Sequence, residues 1–139
     1  VDHGVTLDFW RINMRPGKPL MFGTRGKTLV FGLPGNPVSA MVTAEIFIKP
    51  ALRHWLGLPE VEALHLPLLR TTPKNTARRH FMRARVTTRD GVTGVLPINE
   101  TDSGHTSSLA AANALIVQPE FDPGQTAGAV VSALPIGTV

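Results

Sequence analysis

Two stiff loops carry the residues of this sequence best suited to hold an anion. The first is Arg15-Pro16-Gly17-Lys18-Pro19, with Arg11 four residues before it, and the second is Gly32-Leu33-Pro34-Gly35-Asn36-Pro37, followed by Val38 and Ser39. A guanidinium offers a planar fork of donors to an oxyanion, an ammonium a point charge, and a serine hydroxyl a donor without net charge. Gly32 and Gly35 permit a tight backbone while Pro34 and Pro37 stiffen it. Donors fixed in this way can neutralise a tetrahedral oxyanion or a phosphate without first reorganising. The competing reading is structural: the second loop is a well-made helix start, and Arg11 and Lys18 are solvated surface charges.

The elements that position these loops are legible from the apolar pattern. Residues 9–14 and 27–31 read as short strands, each ending at one of the loops. Apolar side chains then recur at Val38, Met41, Val42, Ile46, Phe47, Ala51, Leu52 and Trp55, which is helical spacing. Asn36 is the expected N-cap, Pro37 the first helical residue and Gly57 the stop. Pro50 falls inside the pattern and predicts a kink or break near residues 47–49. If the two strands are neighbours in one sheet, both loops open on the same edge. Ser39 would then stand in the first helical turn beside unpaired backbone amides.

The texture changes at residues 58–62, where a domain boundary is expected, separating residues 1–60 from residues 61–139. Beyond it lie short strand-like runs, ALHLPLL, HFMRARVTT, VTGVLPI, ALIVQP and GAVVSALP, with turn chemistry at Arg89-Asp90-Gly91. Only SSLAAAN (107–113) hints at helix. The fold class is therefore α/β followed by all-β. This half also carries Arg70, Lys74, Arg78, Arg79, Arg83, Arg85 and Arg89, a possible nucleic-acid patch, but Phe81 is the only aromatic nearby and dispersed solubilising charge is the simpler reading. His3, His54, His65, His80 and His105 show no metal-ligand spacing and read as surface or partly buried side chains.

Composition bounds the remaining choices. A 139-residue chain with 42% hydrophobic residues can bury one moderate core or two small ones. No apolar run approaches the roughly 20 residues that span a bilayer, so no membrane partner is expected. The absence of cysteine excludes disulfides and thiolate metal sites and fits a cytoplasmic setting. A net charge of +4 favours anionic partners without naming one. The start at Val1, without methionine, suggests a piece of a longer protein.

Taken together, MRPGKP, GLPGNPVSA and the helix ending in PALRHWLG resemble the MoeA family of molybdopterin molybdenumtransferases, which includes the E domain of gephyrin. RRHFMRARV and SSLAAANALIVQP resemble segments of the family's last domain, so the likeness covers nearly the whole chain. It implies the C-terminal part of a molybdopterin-binding α/β domain (MogA-like) joined to a C-terminal β-barrel-like domain. The implied activity is insertion of molybdate into adenylylated molybdopterin, releasing AMP, with Mg2+ assistance and a homodimeric assembly. Arg11, Arg15 and Lys18 match basic active-site positions. Lys18, Pro19, Ser39, Arg83 and one of Ser107 or Ser108 match molybdate contacts, Pro34 and Pro37 match the rigid loop, and these residues together with Asn36 make up the expected molybdate or pterin-phosphate contacts. Arg15 departs from the lysine of many members, keeping charge while changing geometry. The acidic residues that handle the cation would lie upstream of Val1, Asp2 and Asp8 matching no motif position, so no metal ligand is expected within this chain and the chain alone should be inactive. A non-catalytic scaffold, as in the gephyrin branch, is the remaining alternative.

Overall fold

The computed structural model describes residues 3–98 and 110–137. In the first part, strands β1 (Thr6–Trp10), β3 (Met21–Arg25) and β4 (Thr28–Gly32) form an antiparallel sheet in the order β1-β3-β4. Phe9, Phe22 and Phe31 pack across it, with ring centroids 5.5 and 5.0 Å apart. This corrects the expected pairing of the strands over 9–14 and 27–31. β3, turned back through Gly26 and Lys27 into β4, lies between them, because Met21 to Arg25 extends what reads as loop. The strand over 9–14 is likewise divided. β1 ends at Trp10, Arg11 takes φ 68 with its guanidinium 4.2 Å from the centre of the Trp10 ring, and Met14–Arg15 form a separate strand, β2.

The helix starts where the sequence predicts. Asn36 is extended, and its side-chain oxygen accepts from the N–H groups of Val38 (3.0 Å) and Ser39 (3.2 Å), with Pro37 in the first turn. Removing this cap by Asn36→Ala should lower stability by about 1 kcal/mol, read as a shifted urea midpoint at unchanged slope. Helix α1 (Pro37–Thr43) runs through a π-helical turn (Ala44–Ile48) into α2 (Lys49–Trp55). The expected break near 47–49 therefore takes the form of a widened turn, with the Lys49 N–H donating to the Ala44 carbonyl. Pro50 has no N–H to offer, and widening the ladder ahead of it accommodates its ring without stopping the helix. The stop comes at Gly57, whose φ of 67 is costly for any residue with a Cβ. Its N–H reaches the His54 carbonyl (3.1 Å) and the Leu58 N–H reaches that of Arg53 (2.9 Å), a Schellman closure.

The second sheet follows the order β2-β6-β8-β9-β5, built from β5 (Leu64–Pro67), β6 (Arg79–Arg89), β8 (Ala114–Gln118) and β9 (Val130–Pro135), with β7 (Val92–Pro97) also paired to β6. The predicted hairpin is present: Arg89 pairs with Val92 around Asp90 and Gly91, both at positive φ. One bridge, Leu68 to Val95, draws the far edge towards β7, so the sheet curls into a barrel-like form that is not closed by a ladder. Of SSLAAAN, residues 107–109 lie outside the described residues, while Ala110 and Ala111 are helical.

Period-two alternation divides the side chains of β6 and β8 between two cores. Met82, Ala84, Ala114 and Ile116 join Leu68, Val95 and Ala133 inside the curled sheet. Phe81 and Leu115 point the other way, where Leu115 packs with Met14, Val42 and Ile136 beneath the helix. Val42 is fully buried there, worth about 1.5–3 kcal/mol of apolar transfer. The helix is thus seated on the outer face of the second sheet, and β2 pairs in parallel with β6 beside it. These contacts bring both loops to the face of β6 that also carries Arg83.

Candidate oxyanion site

A cavity of about 270 Å³ opens at this junction, lined by Arg15 and Pro16 from the first loop, Asn36, Val38 and Ser39 from the second, and His80, Phe81, Met82, Arg83 and Ile98 from the second sheet. Arg15, Asn36, Ser39 and Arg83 were each expected at an anion site, and the fold brings them together from three separate stretches of chain. Arg83 is 6% exposed, and alternation along β6 sets it on the same face as Phe81. No carboxylate is among the described residues that line the cavity. Arg15 is held by the side-chain oxygen of Asn75, which accepts from Nε at 3.3 Å and from Nη2 at 3.1 Å.

The first loop meets helix α1 at Gly17. Its φ is 111, and a Cβ built there would fall 2.5 Å from Thr43 Cγ2 and 3.3 Å from Met14 Cε. Thr43, fully buried on α1, donates its hydroxyl to the carbonyls of Ser39 (2.8 Å) and Ala40 (3.0 Å). The first loop therefore lies directly against the turn that carries Ser39.

Several expectations need correction. The helix amides are not unpaired: Val38 and Ser39 donate to the Asn36 side chain, and Ala40 donates to the Asn36 carbonyl. A capping residue and an incoming anion compete for the same donors, and Asn36 occupies them. Arg11, Lys18, Pro19, Pro34 and Pro37 do not line the cavity. Arg11 stacks on Trp10, Lys18 and Pro19 are exposed on the loop beyond Pro16, Pro34 is buried and Pro37 is exposed in the first helical turn. Ser107 and Ser108 lie outside the described residues. His80 is buried at 3% exposure, its Nδ1 3.3 Å from the Gln118 side-chain oxygen. The basic residues of the second half form no single stripe, since Arg83 is internal, Arg70 donates to the Pro97 carbonyl and Arg79 pairs with Glu120 at 3.4 Å.

Sequence reasoning passed over Asn75. It is 1% exposed, and its amide nitrogen donates to the carbonyls of Pro119 (2.7 Å), Arg78 (2.8 Å) and, more weakly, Gln118 (3.4 Å). The irregular segment around it is tied to residues 119–125. The Asn75 N–H reaches the Asp122 carbonyl (2.8 Å), the Gln125 N–H the Thr72 hydroxyl (3.0 Å) and the Gln118 amide the Pro73 carbonyl (2.7 Å). No local pattern signals such a role, because all of its side-chain partners but one lie more than forty positions away.

Comparison with known proteins gives this architecture a class. Residues 3–54 match a family described as a probable molybdopterin binding domain, and residues 65–136 match the MoeA C-terminal region (domain IV). A segment matching a probable molybdopterin binding domain, followed by a curled β-sheet matching the MoeA C-terminal region, sets the chain among proteins of molybdenum cofactor biosynthesis. The chain belongs to the MoeA family.

It is 39% identical over 121 residues to molybdopterin molybdenumtransferase 2 of Mycobacterium tuberculosis, covering 86% of this chain and 29% of that protein. It is 33% identical over 133 residues to the Bacillus subtilis molybdopterin molybdenumtransferase, covering 94% and 31%. A molybdenum cofactor biosynthesis protein from Pyrococcus furiosus superposes with a TM-score of 0.76 at 32% identity, over 95% of this chain and 46% of the other. The chain thus spans about 30% of the length of these curated relatives.

Proposed function

We propose that this chain carries the oxyanion-binding part of an enzyme that inserts molybdate into adenylylated molybdopterin and releases AMP. The observation that supports this most directly is the cavity in which Arg15, Ser39 and Arg83 converge without a lining carboxylate among the described residues. Molybdate is a dianion that must approach a phosphate-bearing nucleotide and a dithiolene. Its charge has to be offset before an oxygen can leave the metal. Two guanidiniums held in place by the fold do this with little reorganisation, and the Ser39 hydroxyl adds a neutral donor. Lys18 and Arg11 extend the positive field on the same stretch of chain, Pro19, Pro34 and Pro37 hold the loops in shape, and Ser107 or Ser108 would complete the contacts.

The same proposal includes a boundary near residues 58–62, supported by the two family matches ending at 54 and beginning at 65. It includes a homodimer, which rests on the family resemblance, and a cytoplasmic setting, with which a cysteine-free sequence is compatible. Mg2+ is expected from the resemblance, but no group of three or more His, Asp or Glu among the described residues could hold a metal ion. The described residues offer no cation site.

The test uses the intact protein with adenylylated molybdopterin, following AMP by chromatography. AMP should be released in proportion to added molybdate. Release at the same rate with and without molybdate, or no release at all, would contradict the proposal.

A further inference from the structure

We propose that Asn75 is a positioning residue for the oxyanion site: its side-chain oxygen holds the Arg15 guanidinium in place at the cavity wall. This role rests on the reading of the cavity given above and extends it to a residue that the two loops do not contain.

The orientation of the Asn75 amide is fixed by what surrounds it. Its nitrogen faces three carbonyls, those of Arg78, Gln118 and Pro119, and its oxygen faces the two guanidinium nitrogens. A flipped amide would set an oxygen against three acceptors and an NH2 against a cation, losing every one of these bonds. The oxygen is therefore a neutral acceptor that cannot turn away. Neutrality is the useful property: a carboxylate there would bind Arg15 more tightly but cancel the charge the cavity needs, whereas an amide oxygen fixes the fork and leaves its charge intact. Contacts to two nitrogens at one end of the guanidinium restrict rotation about the long arginine side chain, so less of its freedom is left to be lost on binding. Asn75 is itself anchored through its N–H to the Asp122 carbonyl, and the Asp122 carboxylate is fixed by the Gly124 N–H at 2.7 Å and the Gln125 amide at 3.1 Å. The anchorage runs through the second half of the chain, so the arginine of the first loop is aimed by a different part of the fold.

Molybdate affinity is measured for the unaltered chain, Arg15→Ala, Asn75→Ala and the double variant. Arg15→Ala should weaken binding about tenfold, Asn75→Ala nearly as much, and the double variant no more than Arg15→Ala alone, because Asn75 acts through Arg15. A second measurement needs no substitution: solvent exchange of the Arg15 Nε–H, followed by NMR on the unaltered chain, should be at least about tenfold slower than for exposed Arg25 and Arg89. This decides the matter if Asn75→Ala does not fold. If Arg15→Ala binds molybdate as the unaltered chain does, the oxyanion reading falls and the positioning role falls with it. If Arg15→Ala weakens binding while Asn75→Ala does not, if the losses add, or if the Arg15 proton exchanges like those of exposed arginines, the positioning role alone is overturned.

Discussion

Replacing Arg83 by methionine should weaken molybdate binding on the order of 100-fold while leaving the circular dichroism spectrum unchanged. Arg83 is almost wholly buried and lines the cavity from β6, so an anion beside it would sit in a medium far less screening than water. Truncating one partner of a buried, hydrogen-bonded charge pair costs about 2–5 kcal/mol, and each 1.4 kcal/mol is tenfold in affinity. Methionine keeps most of the side-chain volume, so the strand and its packing survive. Arg83→Lys should recover part of the loss, since a point charge replaces a fork. Calorimetric titration of both variants checks this. An affinity for Arg83→Met within threefold of the unaltered chain would place the anion elsewhere.

Gly17→Ala should produce the largest loss of stability of any single methyl addition in the two loops, about 3 kcal/mol. Two terms contribute. A φ of 111 is barely open to a residue with a Cβ, at about 1–3 kcal/mol, and the new carbon would press on Thr43 Cγ2, an overpacking of similar size. They can be separated. Thr43→Ser removes Cγ2 while keeping the hydroxyl that donates to Ser39 and Ala40. Gly17→Ala combined with Thr43→Ser should therefore regain the steric part and not the backbone part, seen as a partial recovery of the urea midpoint. Full recovery would mean that the backbone tolerates alanine at this φ. No recovery would mean that the loop is not seated on Thr43. Because Gly17 lies between Arg15 and the turn bearing Ser39, Gly17→Ala should also reduce molybdate affinity.

What could be read in the sequence was local. Asn36 and Pro37 announce a helix start because capping depends on neighbouring residues, Gly57 announces its end for the same reason, and Asp90-Gly91 fixes a hairpin through its own backbone angles. Arg15 and Ser39 were candidates for an anion site by residue type and by their place on stiff loops, whereas Arg83, inside β6, was a candidate through the family resemblance alone. What escaped was set by distant contacts. Met21–Arg25 is a strand because β1 and β4 flank it, not because MFGTR is a strong strand sequence. Met14–Arg15 joins β6 across more than sixty residues, and the Asn75 bond to Arg15 spans a similar distance. The capping of Val38 and Ser39 by Asn36 was implicit in the sequence. It also occupies the amides that a simple helix-end argument would have offered to an anion, so the proposed site rests on side chains instead.

The central claim is that the two halves of the chain build one oxyanion site. Titration of the 139-residue chain with molybdate, with sulfate as competitor, tests it most directly. Saturable binding of one molybdate per chain, displaced by sulfate and lost in Arg83→Met, is the result the geometry predicts. A folded chain that takes up no molybdate, or one whose binding is indifferent to Arg83, would contradict it.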